Sequence, residues 1–313
     1  MKKSLYRLLL FSVLPLFFIG YAVYLTGKNT DDFYKRFSSP QQNSLILGSS
    51  RAASMNPEII DRVIRRKYPE AELYNYAFTW AHSPYGPKYL ESVEKKLKQD
   101  MKNGVFIVTV EPTALMISKN SSDNPDYYIE NDKSVAKTSR VAANPNFEYL
   151  LESFDFSITK ELNKKILPDQ NLMVDVSVLD NGQLHGKVLK RFSPEKRKSM
   201  NREKMEELKK RIDGLKISQV RLKYLAKTID ALKKHGKVVL VRMPVSKTAY
   251  AIENTFVPDF DKIITCISRT RKVQYINYNK IPNHYEWIDE VHLEPLSMDQ
   301  FSRKIGEDII DLK

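Results

Sequence analysis

Short apolar runs alternate along the chain with longer amphipathic stretches. Five of the runs read as buried strands: SLILG (44–48), ELYNYAF (72–78), GVFIVTV (104–110), KVVLVRMPV (237–245) and VQYINY (273–278). They are short, apolar and bounded by turn-forming or charged positions, the mark of strands covered on both faces. The stretches between most of them have helical character. NPEIIDRVIRRKYP offers Asn56 as N-cap and Pro57 as the first helical residue. PKYLESVEKKLKQDMKNG predicts a helix that closes at Asn103 and Gly104. Strand alternating with helix specifies an α/β fold, here a three-layer α/β/α sandwich around a central five-stranded parallel sheet.

The alternation lapses once, after the third strand. Residues 113–200 read as a large insertion rich in Asn, Ser, Asp and Lys, followed by a basic helical stretch over 201–235 with a break near Gly214. The insertion holds a short helix at NFEYLLESF and the segment VSVLDNGQLHGKVLK, whose Asn181-Gly182 pair predicts a two-residue hairpin. Insertions of this size tend to be lids or binding elements. At the other end, LLLFSVLPLFFIGYAVYL (8–25) is 18 residues without a charge, behind Lys2, Lys3 and Arg7. That length spans most of a hydrocarbon core, and the basic flank predicts a cytoplasmic N-terminus. A cleaved signal peptide is the rival reading, but the apolar run is long and no clear small-x-small site follows it. The expected organisation is a membrane anchor over 1–27, a polar tether over 28–42 and one extracytoplasmic α/β domain over 43–313. The expected location is the cell membrane, crossed once.

Composition narrows the partners. The 313 residues carry 51 Lys and Arg against 38 Asp and Glu, a net charge of +13, which suits an anionic surface, polymer or nucleic acid. No zinc-ligand spacing and no RNP-like strand occurs, so nucleic acid is not expected as a partner. Cys266 is the only cysteine and excludes an internal disulfide; within FDKIITCISRTRK it reads as a small core residue. The histidines lack metal-ligand spacing, so neither metal nor cofactor is expected. His185 and His284 sit in turn-like polar settings, and His235 ends a helix.

The first strand runs directly into Gly48-Ser49-Ser50-Arg51, at the edge where open α/β sheets gather ligands. A serine hydroxyl needs a base, and the base an orienting group. Asp289 and His292 stand three apart after the fifth strand and before the last helix, on a loop at the same edge. A carboxylate so close can hold the imidazole with Nε2 outward as a base.

Gly48-Ser49-Ser50 and Asp289-Glu290-Val291-His292 resemble the first and last sequence blocks of the SGNH or GDSL hydrolase superfamily. The Gly-Ser-Ser-Arg variant is most similar to its membrane-anchored branch, which includes D-alanyl transfer proteins of teichoic acid and alginate acetylation proteins. The resemblance implies a flavodoxin-like sheet, Ser50 as nucleophile, His292 as base and Asp289 as its partner, with Ser49 structural. It implies a serine esterase or O-acyltransferase working through an acyl-serine intermediate on an acylated glycan, envelope polymer or lipid-linked sugar, in the transferase case alongside a membrane-bound acyltransferase. Two family blocks depart from the pattern. Asn75 ends the second strand, but no glycine follows before Gly86, which leaves Thr79, Trp80 or Ala81 as backbone oxyanion donors. After the third strand stands Glu111-Pro112-Thr113 where the family carries Asn, which makes Thr113 or His82 the candidate replacement. Arg51 is a candidate anion-binding group beside the nucleophile. These departures also leave open a catalytically weak scaffold that binds an envelope polymer or a membrane acyltransferase.

Overall fold

The computed structural model describes residues 2–28, 33–79, 82, 85–124, 132–153, 174–188 and 193–312. Helices α1 (Lys2–Lys28) and α2 (Tyr34–Ser38) precede strand β1 (Ser44–Leu47), which leads into α3 (Ser50–Ala53) and α4 (Pro57–Ile64). Next come β2 (Leu73–Asn75), α5 (Pro87–Lys96) and β3 (Gly104–Thr109). The inserted region carries β4 (Met116–Ser118), α6 (Ser134–Lys137), α7 (Phe147–Glu152), β5 (Val174–Val178), β6 (Leu184–Val188), α8 (Pro194–Asp213) and β7 (Leu215–Ile217). It is followed by α9 (Gln219–Leu232), β8 (Gly236–Arg242), α10 (Lys247–Phe256), α11 (Phe260–Arg271), β9 (Gln274–Asn277) and α12 (Pro295–Asp311).

The five expected strands form one parallel sheet in the spatial order β2-β1-β3-β8-β9. This is the flavodoxin-like, doubly wound order, whose direction of growth reverses between β1 and β3. Alternate side chains leave the sheet on opposite faces. Leu45, Leu47, Phe106, Val108, Val238 and Leu240 pack with Val93 of α5, Ile229 of α9 and Ile264 of α11. Ile46, Val105, Ile107, Val239 and Val241 pack on the other face with Ile60 of α4 and Ile305 and Ile309 of α12. Helices thus cover both faces, which is why the middle positions of β1, β3 and β8 are apolar.

Several local expectations are corrected. Helix α5 stops at Lys96 rather than Gly104, because Leu97 is extended and bridges Gln42 alongside β1. The basic helical stretch begins earlier, at Pro194. Its break at Gly214 opens into β7, which pairs antiparallel with β4. The Asn181-Gly182 hairpin is not two-residue: Val178 pairs with Leu184, and Gly182 N–H closes a turn on Leu179 O at 3.0 Å. Its longer tip docks on the sheet edge, where Asn75 N–H donates to Asn181 O at 2.8 Å. The expected tether is part of the fold from residue 33 onward, with Tyr34, Arg36 and Phe37 buried and the Phe37 ring against Tyr76, Phe78 and Tyr149. Cys266 is exposed, because the buried stripe of α11 is Phe260, Ile264 and Ser268 and position 266 lies off it. In α1, the large apolar side chains described between Leu8 and Phe18 are exposed. Among the described residues no helix is long and apolar enough to cross a membrane; the side chains of 22–28 lie outside those described.

Candidate active site

The end of β1 turns sharply at Gly48, whose φ is +156°. A Cβ there would lie 1.8 Å from Thr109 Oγ1 on the adjacent β3, so the strand can close on its neighbour only with glycine in this place. Ser49 caps α3, accepting from Arg51 N–H at 3.3 Å, and donates its hydroxyl to Glu111 Oε1 at 2.6 Å. Ser50 is therefore the first residue of α3, where a backbone N–H has no acceptor within the helix. Asn75 secures the turn from beneath: its Nδ2 donates to Ala52 O at 2.8 Å and Met55 O at 3.0 Å.

The loop that follows β9 is a narrow antiparallel tongue. Trp287 bridges Leu293, Ile288 N–H donates to His292 O at 2.8 Å, and Glu294 N–H donates to Glu286 O at 2.9 Å. At its tip Glu290 adopts φ +71°, a left-handed conformation that costs a residue with a Cβ and persists where neighbours impose it. Here they do. Glu290 O accepts from Ser246 N–H at 2.9 Å, and Asp289 Oδ1 accepts from His292 N–H at 2.9 Å.

This tip orients the imidazole. His292 Nδ1 lies 2.9 Å from Asp289 Oδ1 and 3.0 Å from Oδ2, and an ionised carboxylate only accepts, so Nδ1 carries the proton. In the neutral ring Nε2 is then an acceptor, and it lies 2.9 Å from Ser50 Oγ across a sequence separation of 242. Burial works to raise the Asp289 carboxyl, but the hydrogen bonds and the charge of His292 outweigh it and hold Asp289 below its ordinary value. Asp289 therefore stays ionised at neutrality. The structure thus brings Ser50, His292 and Asp289 together in a line of two hydrogen bonds.

The other sequence candidates lie elsewhere. Arg51 does not face a ligand. It is 6% exposed, and its guanidinium is 2.6 Å from Glu253 and 3.4 Å from Glu111. Burial opposes its charge, but Glu111 and Glu253 more than compensate and raise its pKa. Glu253 in turn pairs with Arg242 at 2.9 Å, and Arg242 with Asp261 at 2.9 Å, so a largely buried chain of alternating charges runs beside the Ser49–Ser50 turn. Thr113 is also turned inward, donating to Glu111 Oε1 at 3.3 Å. Asn75 is fully buried and spent on the turn. His82 Nδ1 is 2.7 Å from Thr79 Oγ1, and the ring packs on Phe33 and Phe78. Burial, with the charges of Lys133 and Arg36, pushes His82 down to about 4, so it is neutral. Trp80 and Ala81 lie outside the described residues.

Beside Ser50 and His292 opens a cavity of about 190 Å³. Ile288, Leu293 and Met298 line it from the tongue and α12, and Val176, Leu184 and Gly186 from the inserted hairpin. His185 stands there as well, contrary to its reading as a turn residue. The hairpin's part in the site escaped residue-by-residue reading because its chemistry-bearing groups are few. The only signal in the chain was an insertion with a turn at Asn181-Gly182.

No protein-family model matches this sequence, and no curated protein matches it. Solved structures with some likeness include a carbohydrate acetylesterase from Sinorhizobium meliloti, 8% identical, with a TM-score of 0.40 over 87% of this chain and 100% of that one. The native aryl esterase of M. smegmatis is 9% identical, with a TM-score of 0.38 over 86% of this chain and 99% of that one. Likeness at that level assigns no chemistry, and the site's own atoms have to supply it.

Proposed function

We propose that this protein is a membrane-anchored, extracytoplasmic serine esterase or O-acyltransferase of the SGNH type. The observation that carries the proposal is the 2.9 Å approach of Ser50 Oγ to His292 Nε2, with Nδ1 of the same ring held by Asp289. Ser50 Oγ attacks the ester carbonyl carbon as its proton passes to His292 Nε2. The tetrahedral intermediate then expels the alkoxide, which takes that proton from His292 and leaves as the alcohol. Water or a sugar hydroxyl next attacks the acyl-Ser50 carbonyl, giving up its proton to His292 Nε2, and the same proton returns to Ser50 Oγ as the acyl group departs. The Ser50 N–H is the proposed first oxyanion donor, with Thr79, Trp80 or Ala81 as the proposed source of the second. Asp289 keeps the imidazole in the required tautomer and offsets the charge it gains.

The proposed substrate is an acylated glycan, envelope polymer or lipid-linked sugar. It is supported by the net charge of +13, which favours anionic surroundings, and by the uncharged run from Leu8 to Leu25 behind three basic residues. A membrane-bound acyltransferase is the proposed partner if transfer rather than hydrolysis is the physiological reaction. A scaffold without chemistry has no need of a base aligned on a serine hydroxyl, so the catalytic reading is favoured.

The full-length protein in detergent micelles is offered a fluorophosphonate probe and a chromogenic acetyl ester. Wild type becomes labelled and turns the ester over, while Ser50→Ala does neither. Labelling that persists in Ser50→Ala sinks the assignment.

A further inference from the structure

The cavity beside Ser50 is closed on one side by a hairpin that the chain inserts between β3 and β8. Leu184 and Gly186 alternate onto one face of β6, and Val176 stands directly across from Gly186 in the β5–β6 register. All three line the cavity, opposite Ile288, Leu293 and Met298. The polar lining groups are largely committed to one another. Asn56 Nδ2 donates to Asp299 at 3.0 Å, Asn56 Oδ1 accepts from Ile59 N–H at 3.3 Å, and Gln183 Nε2 donates to Ser54 O at 3.2 Å. Apart from the reacting pair and His185, what remains to meet a ligand is mostly hydrocarbon. The hairpin tip is held at the sheet edge, where Asn75 N–H donates to Asn181 O at 2.8 Å and Gln183 Nε2 donates to Ser54 O at 3.2 Å.

We infer that this cavity is the acyl subsite and that the β5–β6 hairpin limits the acyl group to about six carbons; the inference rests on Ser50 being the nucleophile. An apolar cavity of about 150 Å³ accommodates a benzene-sized, six-carbon molecule, and the volume here is about 190 Å³. The mostly apolar lining favours a hydrocarbon chain over a sugar ring, whose hydroxyls would find few partners there. The alcohol portion of the ester, however large, therefore extends to solvent while the acyl chain enters the cavity. The substrate class that follows is a short-chain acyl ester of a bulky polar alcohol.

The test uses the full-length protein in micelles and a series of p-nitrophenyl esters from acetyl to decanoyl. In wild type kcat/KM rises about fourfold per added methylene, the equivalent of about 0.8 kcal/mol each, and falls beyond about six carbons. Leu184→Ala enlarges the cavity and moves the optimum to longer chains, whereas Gly186→Val fills it and moves the optimum to shorter ones. A folding defect lowers every rate alike and cannot move the two optima in opposite directions. A second series holds the acyl group at butanoyl and lengthens the alcohol, and it shows no break. A wild-type profile without a chain-length break, a break in the alcohol series instead, or unmoved optima in the two variants overturns the subsite while Ser50 labelling keeps the hydrolase reading. Absence of both labelling and turnover in wild type overturns the two together.

Discussion

Gly48 and Arg51 show how much of the site is decided by single residues buried beside it. The 1.8 Å separation between a Cβ at position 48 and Thr109 Oγ1 exceeds what a side-chain adjustment can absorb, and the positive φ adds backbone strain. Gly48→Ala is expected to destabilise the fold by about 3 kcal/mol or more, read from urea midpoints. The Thr109 hydroxyl is buried without a hydrogen-bond partner among the described residues. Thr109→Ala in the Gly48→Ala background should therefore recover part of the loss, and failure to do so would place the strain elsewhere. Arg51 has the opposite character to the one its position suggests. Beside Ser50 a cation invites an anion, yet here two carboxylates of the protein itself already occupy it.

Among the elements, α3 is too short to hold its own position. It hangs from Asn75 below and from the Glu111–Arg51–Glu253–Arg242 chain at its side. Removing one member of a buried ion pair leaves its partner charged and dry, which typically costs about 3–5 kcal/mol. Arg51→Met is expected to lose stability by that amount and to slow fluorophosphonate labelling of Ser50. Adding Glu111→Gln neutralises one stranded carboxylate and should restore a measurable part of the stability. A double-mutant cycle checks this, and a coupling near zero would mean that the two side chains act independently.

At the scale of the whole molecule, Lys96 ties three separate regions together. It ends α5, is fully buried, and donates to Ser39 O at 2.5 Å, Ser39 Oγ at 2.7 Å and Val141 O at 2.8 Å. No carboxylate pairs with it among the described residues, and burial pushes its amine down to about 7 from an ordinary value of 10.5. Between those values the folded chain binds fewer protons than the unfolded chain, so stability rises with pH across the window and is lost as pH falls toward 7. Urea denaturation at about pH 7 and about pH 9.5 should show this rise in wild type and a flatter response in Lys96→Met. Equal slopes in the two proteins would show that the amine keeps its ordinary affinity for protons.

Strand identity was legible in the sequence because a strand buried on both faces has to be a short apolar run, whatever surrounds it. So was the pairing of Ser50 with Asp289 and His292 as a hypothesis, since a nucleophile and a base at strand ends share a rim in any open parallel sheet. What local pattern could not reveal was where each charged side chain would spend its charge. Arg51, Thr113 and Asn75 stand at the expected rim but turn inward: Arg51 meets Glu253 and Glu111, Thr113 donates to Glu111, and Asn75 donates to Ala52 O and Met55 O. The role of the inserted hairpin was equally hidden, since only tertiary docking of its tip on Asn75 sets Leu184 and Gly186 against Ser50. Periodicity records which face of an element is buried. Which partners meet across that face depends on contacts distant in sequence, and those form only when the chain folds.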